Sequence, residues 1–215
     1  MKNIIGYKQT EIIIKRESQL NDVVGVVYPG RRYNLNSPSL FYLPQVFNKF
    51  NISYLGIDMR YGDNSEFNSA NDQLKDEWIE YDSNKVCEFL NTVSPQNNKR
   101  IFIAKSLGTK HLYYQLKNNF INKEDVLIFQ TPIIPFVVLQ DLLIEKGNNS
   151  LIIYGTKDPV LDDKEFNRIN STNKTQVYEV PNAGHVFEDE NELAKSIDNI
   201  KNVMLETEKF LSKVM

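Results

Sequence analysis

RIFIAKSLGT, residues 100–109, governs how the rest of the chain is understood. The apolar residues Ile101 to Ala104 lead through Lys105 to Ser106 and Leu107, then to Gly108 and a segment with helical spacing, 107–120. A short, β-branched run passing straight into a helix suits a strand buried on both faces of a parallel sheet. The serine at the junction has two readings. It can open the helix as a cap, a position serine favours. It can also sit on a sharp strand-to-helix turn and present its hydroxyl as a nucleophile, provided that the residues two before and two after are small. Those residues are Ala104 and Gly108.

The same alternation extends outward in both directions. Short apolar runs at 23–28, 52–57, 126–130, 150–155 and 176–180 alternate with helical spacing at 40–50, 78–93, 136–147 and 192–214. The order strand, helix, strand, helix predicts an α/β fold with a mostly parallel central sheet and helices on both faces. The first sixteen residues alternate loosely and predict an antiparallel N-terminal strand or hairpin turning near Gln9 and Thr10. The polar, aperiodic stretch 61–77 is expected to be a long surface loop. At 215 residues the chain fits a single domain, 1–215, without repeats.

Composition excludes several function classes. A net charge of −3, with no block of like basic residues, argues against nucleic acid as the main partner. No apolar run approaches the ~18 residues of a membrane span, so no membrane association is expected. The N-terminus lacks a continuous apolar stretch and a small-residue cleavage site, which makes the cytoplasm the default location. The single cysteine, Cys87, excludes an intrachain disulfide and any multi-cysteine metal site. Its apolar neighbours Val86, Phe89, Leu90 and Val93 predict a buried structural thiol. Two histidines, His111 and His185, are the available proton carriers. His111 lies five residues after Ser106 on the same expected helix, so its ring points along that helix rather than back to the serine. Neither G-x-x-x-x-G-K-[ST] nor G-x-G-x-x-G follows any strand, which disfavours nucleotide binding.

The pentapeptide AKSLG, 104–108, resembles the G-x-S-x-G nucleophile elbow of the α/β-hydrolase family, with alanine for the first glycine. The resemblance implies a chain order of serine, acid and histidine, the last two on loops after late strands. GTKDPV (155–160) places Asp158 and NAGHVF (182–187) places His185 accordingly, with Asp162 and Asp163 as neighbouring alternatives for the acid. A serine hydroxyl needs a histidine base, and the base needs an orienting carboxylate. The implied catalytic set is therefore Ser106, Asp158 and His185. For the oxyanion hole, one donor is the Leu107 amide at the start of the helix. The second, by resemblance, is the Arg31 amide in VVYPGRRYN (26–34), where Pro29-Gly30 replaces the family's His-Gly. YPGRRY also resembles a segment found in small bacterial α/β-hydrolases.

Between Gln130 and Asn149 one helical stretch takes up the interval, so no lid domain is expected and the pocket should be shallow or open. Candidate walls are Gly30, Arg32 and Tyr33 on one loop and Thr131, Pro132 and Ile133 on another. Arg31 and Arg32 either grip an anionic substrate group or are solvated loop residues. The resemblance implies a cofactor-independent, metal-free serine hydrolase acting on a small-molecule acyl substrate. Ester or thioester hydrolysis leads, and amide hydrolysis or a non-catalytic binding role remains as an alternative.

Overall fold

The computed structural model describes residues 2–16, 20–94, 98–161 and 174–215, and its strands form one eight-stranded sheet. In chain order they are β1 (Lys2–Ile5), β2 (Glu11–Arg16), β3 (Val23–Tyr28), β4 (Ser53–Asp58), β5 (Lys99–Lys105), β6 (Val126–Gln130), β7 (Asn149–Gly155) and β8 (Thr175–Val180). Across the sheet the order is β1-β2-β4-β3-β5-β6-β7-β8. The β1–β2 hairpin is antiparallel, and β2 pairs antiparallel with β4. Every other pairing is parallel, with Ile101 of β5 opposite both Gly25 and Val126. Strand order reverses beside β3 and β5, and at such a switch point the loops leaving the carboxyl ends separate to leave a crevice.

The helices are α1 (Pro38–Phe41), α2 (Leu43–Lys49), α3 (Ser65–Ser69), α4 (Asp72–Val93), α5 (Gly108–Lys117), α6 (Phe136–Lys146) and α7 (Leu193–Val214). The segment expected as one helix at 40–50 is divided at Tyr42. Pro44 lies in the first turn of α2, where its missing N–H costs nothing. The stretch 61–77 is not a long loop. It contains a 3-10 turn at Tyr61–Asp63, α3 and the opening turns of α4. Two asparagines build these starts: Asn64 Oδ1 accepts from the Phe67 amide at 2.9 Å, and Asn71 Oδ1 accepts from the Leu74 amide at 2.8 Å. Its polarity reflects a helical surface facing solvent, while Tyr61 and Phe67 are buried.

Alternation along each strand sends side chains to two separate cores. Phe102 and Ala104 of β5, with Val24, Val26 and Tyr28 of β3, pack under α4, α5 and α6. Ile101 and Ile103, with Leu151 and Ile153 of β7, pack under α1, α2 and α7. Truncating one of the fully buried aromatics, such as Phe102, to alanine would cost about 3–5 kcal/mol.

The first core contains a column of rings. Tyr28 and His111 stack at 5.9 Å between centroids, His111 and Tyr61 at 5.6 Å, and Tyr61 and Phe67 at 4.1 Å. Beside it Asp82, also fully buried, accepts from the Tyr61 hydroxyl at 2.7 Å and from the Tyr7 amide at 2.6 Å. Cys87 is buried on α4, and burial pushes its thiol up to about 12. Among the described residues, no helix is long and apolar enough to cross a membrane.

Candidate active site

Ser106 occupies the turn between β5 and α5 with φ at +51°, a left-handed conformation that a non-glycine residue adopts at a cost. The turn is held from both sides. The Ser106 amide donates to the Gln130 carbonyl at 3.0 Å, and the Ser106 carbonyl accepts from the Thr109 amide at 2.9 Å. Two residues on, a β-carbon at Gly108 would stand 2.6 Å from the main-chain oxygens of both Tyr28 and Pro29, so β3 leaves no room for a side chain. The small residue needed after the serine is thus imposed by the neighbouring strand.

Asp158 and His185 arrive on the loops that follow β7 and β8. His185 Nε2 lies 2.7 Å from Ser106 Oγ, and His185 Nδ1 lies 2.7 Å from Asp158 Oδ2. With the carboxylate as acceptor, Nδ1–H donates to Asp158, and Nε2 accepts from the serine hydroxyl. The other carboxylate oxygen, Oδ1, accepts from the Val160 amide at 3.0 Å, so both lone-pair edges of Asp158 are occupied. The Asp158 side chain is fully buried, whereas His185 keeps 24% of its side-chain surface exposed. A shielded acid and a reachable imidazole suit proton transfer at the crevice. The alternatives Asp162 and Asp163 lie outside the described residues.

His111 belongs to the ring column. Its Nδ1 lies 2.8 Å from Ser83 Oγ, and burial alone lowers its imidazole to about 3. Among the described residues, neither the Leu107 nor the Arg31 amide N–H meets an acceptor. Gly30, between Pro29 and Arg31, packs against Ser106, since a β-carbon there would lie 3.1 Å from the serine Cβ. Arg31 lines a polar hollow together with Gly30 and Arg32, and its side chain is hydrogen-bonded. Its Nε donates to Asn68 Oδ1 at 2.8 Å, which ties the β3 loop to α3.

The expected pocket walls are dispersed over different features. Gly30 and Arg32 line a polar hollow of about 420 Å³, together with Lys15, Asp58 and Arg60. Thr131 and Pro132 are buried, and Ile133 borders a separate small hollow with Pro135 and Val138. Pro132 packs inward, whereas Pro135 is exposed at the start of α6. Of the six expected wall residues, Tyr33 alone borders an apolar groove of about 660 Å³. That groove runs between α1–α2 and α7, past Val186, Leu193, Ile197 and Met204. Its lining includes none of Ser106, Leu107 or His185, but two of its residues neighbour the site. Val186 follows His185 in the chain, and Tyr33 Cβ would lie 3.2 Å from a β-carbon on Gly30. The exposed apolar face of α7 was the available sequence signal, since Leu193, Ile197 and Leu205 have no place in a helix packed only against a sheet.

The motif match also passed over Lys105, because it occupies the variable position before the serine. It is completely buried. A cation two residues beyond Ile103, on the same inward parity as Ile101 and Ile103, is the signal that would have singled it out. Among the described residues, no three His, Cys, Asp or Glu side chains are placed to hold a metal ion.

No family model matches the chain, and no curated protein matches it. The likeness to solved structures is extensive. A protein of unknown function from Agrobacterium tumefaciens, described as a putative α/β hydrolase, aligns over 99% of this chain and 94% of its own at 15% identity and TM-score 0.70. An α/β serine hydrolase without a lid from Xanthomonas campestris aligns over 97% and 93%, at 15% identity and TM-score 0.65. A dienelactone hydrolase from Anabaena variabilis aligns over 99% and 97%, at 13% identity and TM-score 0.64. In this chain the interval between β6 and β7 holds α6 and no added domain. From the strand order, the turn at Ser106 and this correspondence along nearly whole chains, the protein has the α/β-hydrolase fold in its lidless form.

Proposed function

We propose that the protein is a serine hydrolase that cleaves carboxylic esters or thioesters bearing an apolar acyl chain. The observation that carries this reading is the hydrogen-bonded series Ser106 Oγ, His185 Nε2, His185 Nδ1 and Asp158 Oδ2, with 2.7 Å at each of its two links. A helix cap needs no such series. An imidazole held by a buried carboxylate on one side and a hydroxyl on the other matches what a hydroxyl nucleophile requires.

In this reading Ser106 Oγ attacks the carbonyl carbon while its proton passes to His185 Nε2. Asp158 balances the imidazolium that forms. The developing oxyanion is met by the unpaired N–H groups of Leu107 and Arg31. When the tetrahedral adduct collapses, the alkoxide or thiolate leaves with the proton from His185, and Ser106 is left acylated. Water then repeats the sequence, and the carboxylic acid departs. The groove beginning at Tyr33 and Val186 gives an apolar chain a path away from the serine, which favours an acyl ester over a charged substrate. The dienelactone hydrolase among the similar folds supports hydrolysis of a carboxylic ester.

The test is incubation with a fluorophosphonate, followed by peptide mass spectrometry. A single adduct on the peptide containing Ser106, lost in Ser106→Ala at unchanged circular dichroism, is the expected result. Turnover of p-nitrophenyl esters that survives Ser106→Ala would place the nucleophile elsewhere.

A further inference from the structure

Lys105 points into the α1–α7 side of the sheet with none of its surface exposed, and burying a cation there demands compensation. Its Nζ donates to Thr131 Oγ1, just past β6, and to the main-chain carbonyl of His185. It also lies 4.4 Å from the ring centre of Phe187 and 5.3 Å from that of Tyr33. The carboxylates of Asp158 and Glu188 attract it from the loops around it, and neither forms an ion pair with it. One side chain thus joins the strand that bears Ser106 to the loop that bears His185.

That loop is not a regular element. Asn182 and Phe187 both take left-handed φ values, +58° and +67°. The loop is fastened to the β7 side by the Lys157 amide donating to the Ala183 carbonyl at 2.9 Å, and to α7 by Asn199 Nδ2 donating to the Phe187 carbonyl at 3.1 Å. Lys105 supplies the attachment on the Ser106 side and grips the histidine's own carbonyl.

We propose that Lys105 is a positioning residue, whose ammonium ties the His185 main chain to the end of β5 and so keeps the imidazole within hydrogen-bond reach of Ser106. The inference rests on the reading of Ser106 and His185 as nucleophile and base. Misplacing a reacting group by an ångström can cost roughly 100-fold in rate, so a tether at this point has room to matter.

A further property separates this role from simple filling of space. Burial draws the Lys105 ammonium down from 10.5 to about 7, only partly offset by Asp158 and Glu188. Because the folded value lies below the unfolded one, the charged form costs stability below about pH 7, and that cost is relieved as pH rises from about 7 to 10.5. Removal of the charge should therefore leave the fold as stable as before, or more so, while harming the chemistry. A residue that merely fills space would give the opposite ordering.

The experiment compares wild type, Lys105→Met and Thr131→Val by the rate of fluorophosphonate labelling of Ser106 from about pH 5.5 to 9, alongside thermal melts. Wild type is expected to label along a bell-shaped profile that declines above about pH 7. Lys105→Met should melt at or above the wild-type temperature near pH 6, label roughly 10- to 100-fold more slowly, and lack the alkaline decline. Thr131→Val, which removes one acceptor and leaves the lysine in place, should slow labelling by a smaller factor. Labelling of Lys105→Met at the wild-type rate and with the wild-type profile overturns the proposal, as does a loss of rate matched by a lower melting temperature. If Thr131→Val folds and labels as wild type, the tether is also overturned. A wild type that labels at no pH sinks the hydrolase reading itself, a result distinct from each of these.

Discussion

Gly155, the last residue of β7, lies so close to Ala183 that a β-carbon would stand 2.1 Å from the Ala183 carbonyl oxygen. The strand leading to Asp158 and the loop leading to His185 are therefore in main-chain contact just before each delivers its side chain. Gly155→Ala is expected to push the 183–187 segment outward. Fluorophosphonate labelling should fall by at least about tenfold, with thermal stability down by roughly 1–3 kcal/mol, the usual range for overpacking. Equal labelling of variant and wild type would mean that this contact does not set the histidine.

Ile197 is 61% exposed within the apolar groove, so Ile197→Asp should leave the fold intact. Burial of apolar chain contributes about 0.8 kcal/mol per CH₂, so a carboxylate on the groove wall should raise KM for octanoyl p-nitrophenyl ester several-fold. The acetyl ester should be unaffected. If both esters respond alike, the acyl chain lies elsewhere.

Asp82 and His111 titrate in opposite senses. Burial raises the Asp82 carboxyl from 3.8 to about 6, despite the Tyr7 and Tyr61 donors. Between about pH 4 and 6 the folded state holds a proton there that the unfolded chain has released, so this contribution to stability declines as pH rises. For His111, lowered from 6.5 to about 3, the unfolded chain holds the extra proton, and stability rises with pH over about 3 to 6.5. From about pH 4 to 6 the two nearly cancel. His111→Phe should uncover the Asp82 slope, with stability falling by roughly 2–3 kcal/mol across that window. Asp82→Asn should uncover the opposite slope. Urea melts at several pH values would read both, and parallel curves for all three proteins would contradict the assignment.

Cys87 should resist thiol reagents in the native protein. Its burial and raised thiol leave almost no thiolate at neutral pH, so modification is expected to follow global unfolding and to accelerate together with it in urea. Reaction with a disulfide reagent in native buffer on the seconds scale would show that α4 opens locally.

Much of the architecture was legible because a parallel sheet writes itself as short apolar runs. The runs at 23–28 and 126–130 coincide with β3 and β6, and the others shift by a residue or two. The positions of Ser106, Asp158 and His185 at strand exits were legible for the same reason, and the structure brings their side chains together. The stretch 61–77 departs from the expected loop because its polarity belongs to the solvent face of helices, which Asn64 and Asn71 open. The pocket walls were less legible, for a different reason. Whether TPIIPF packs inward or lines a cavity depends on neighbours distant in sequence. The groove actually present needs α2 and α7, 144 residues apart between Lys49 and Leu193, to face each other. Lys105 was hidden by the motif, which reads the serine's small neighbours and ignores the residue between them.

The parity of β5 has a consequence for how the protein can change. Phe102 and Ala104 face the sealed ring column, whereas Ile101, Ile103 and Lys105 face the groove side. Substitutions that reach either core register as tolerance to heat, whereas those at the exposed groove positions Leu193, Ile197 and Leu205 register as altered rate or choice of substrate. A lineage could therefore explore new substrates along α7 while its endurance is guarded within the two cores, so that adaptation and robustness need not compete for the same residues.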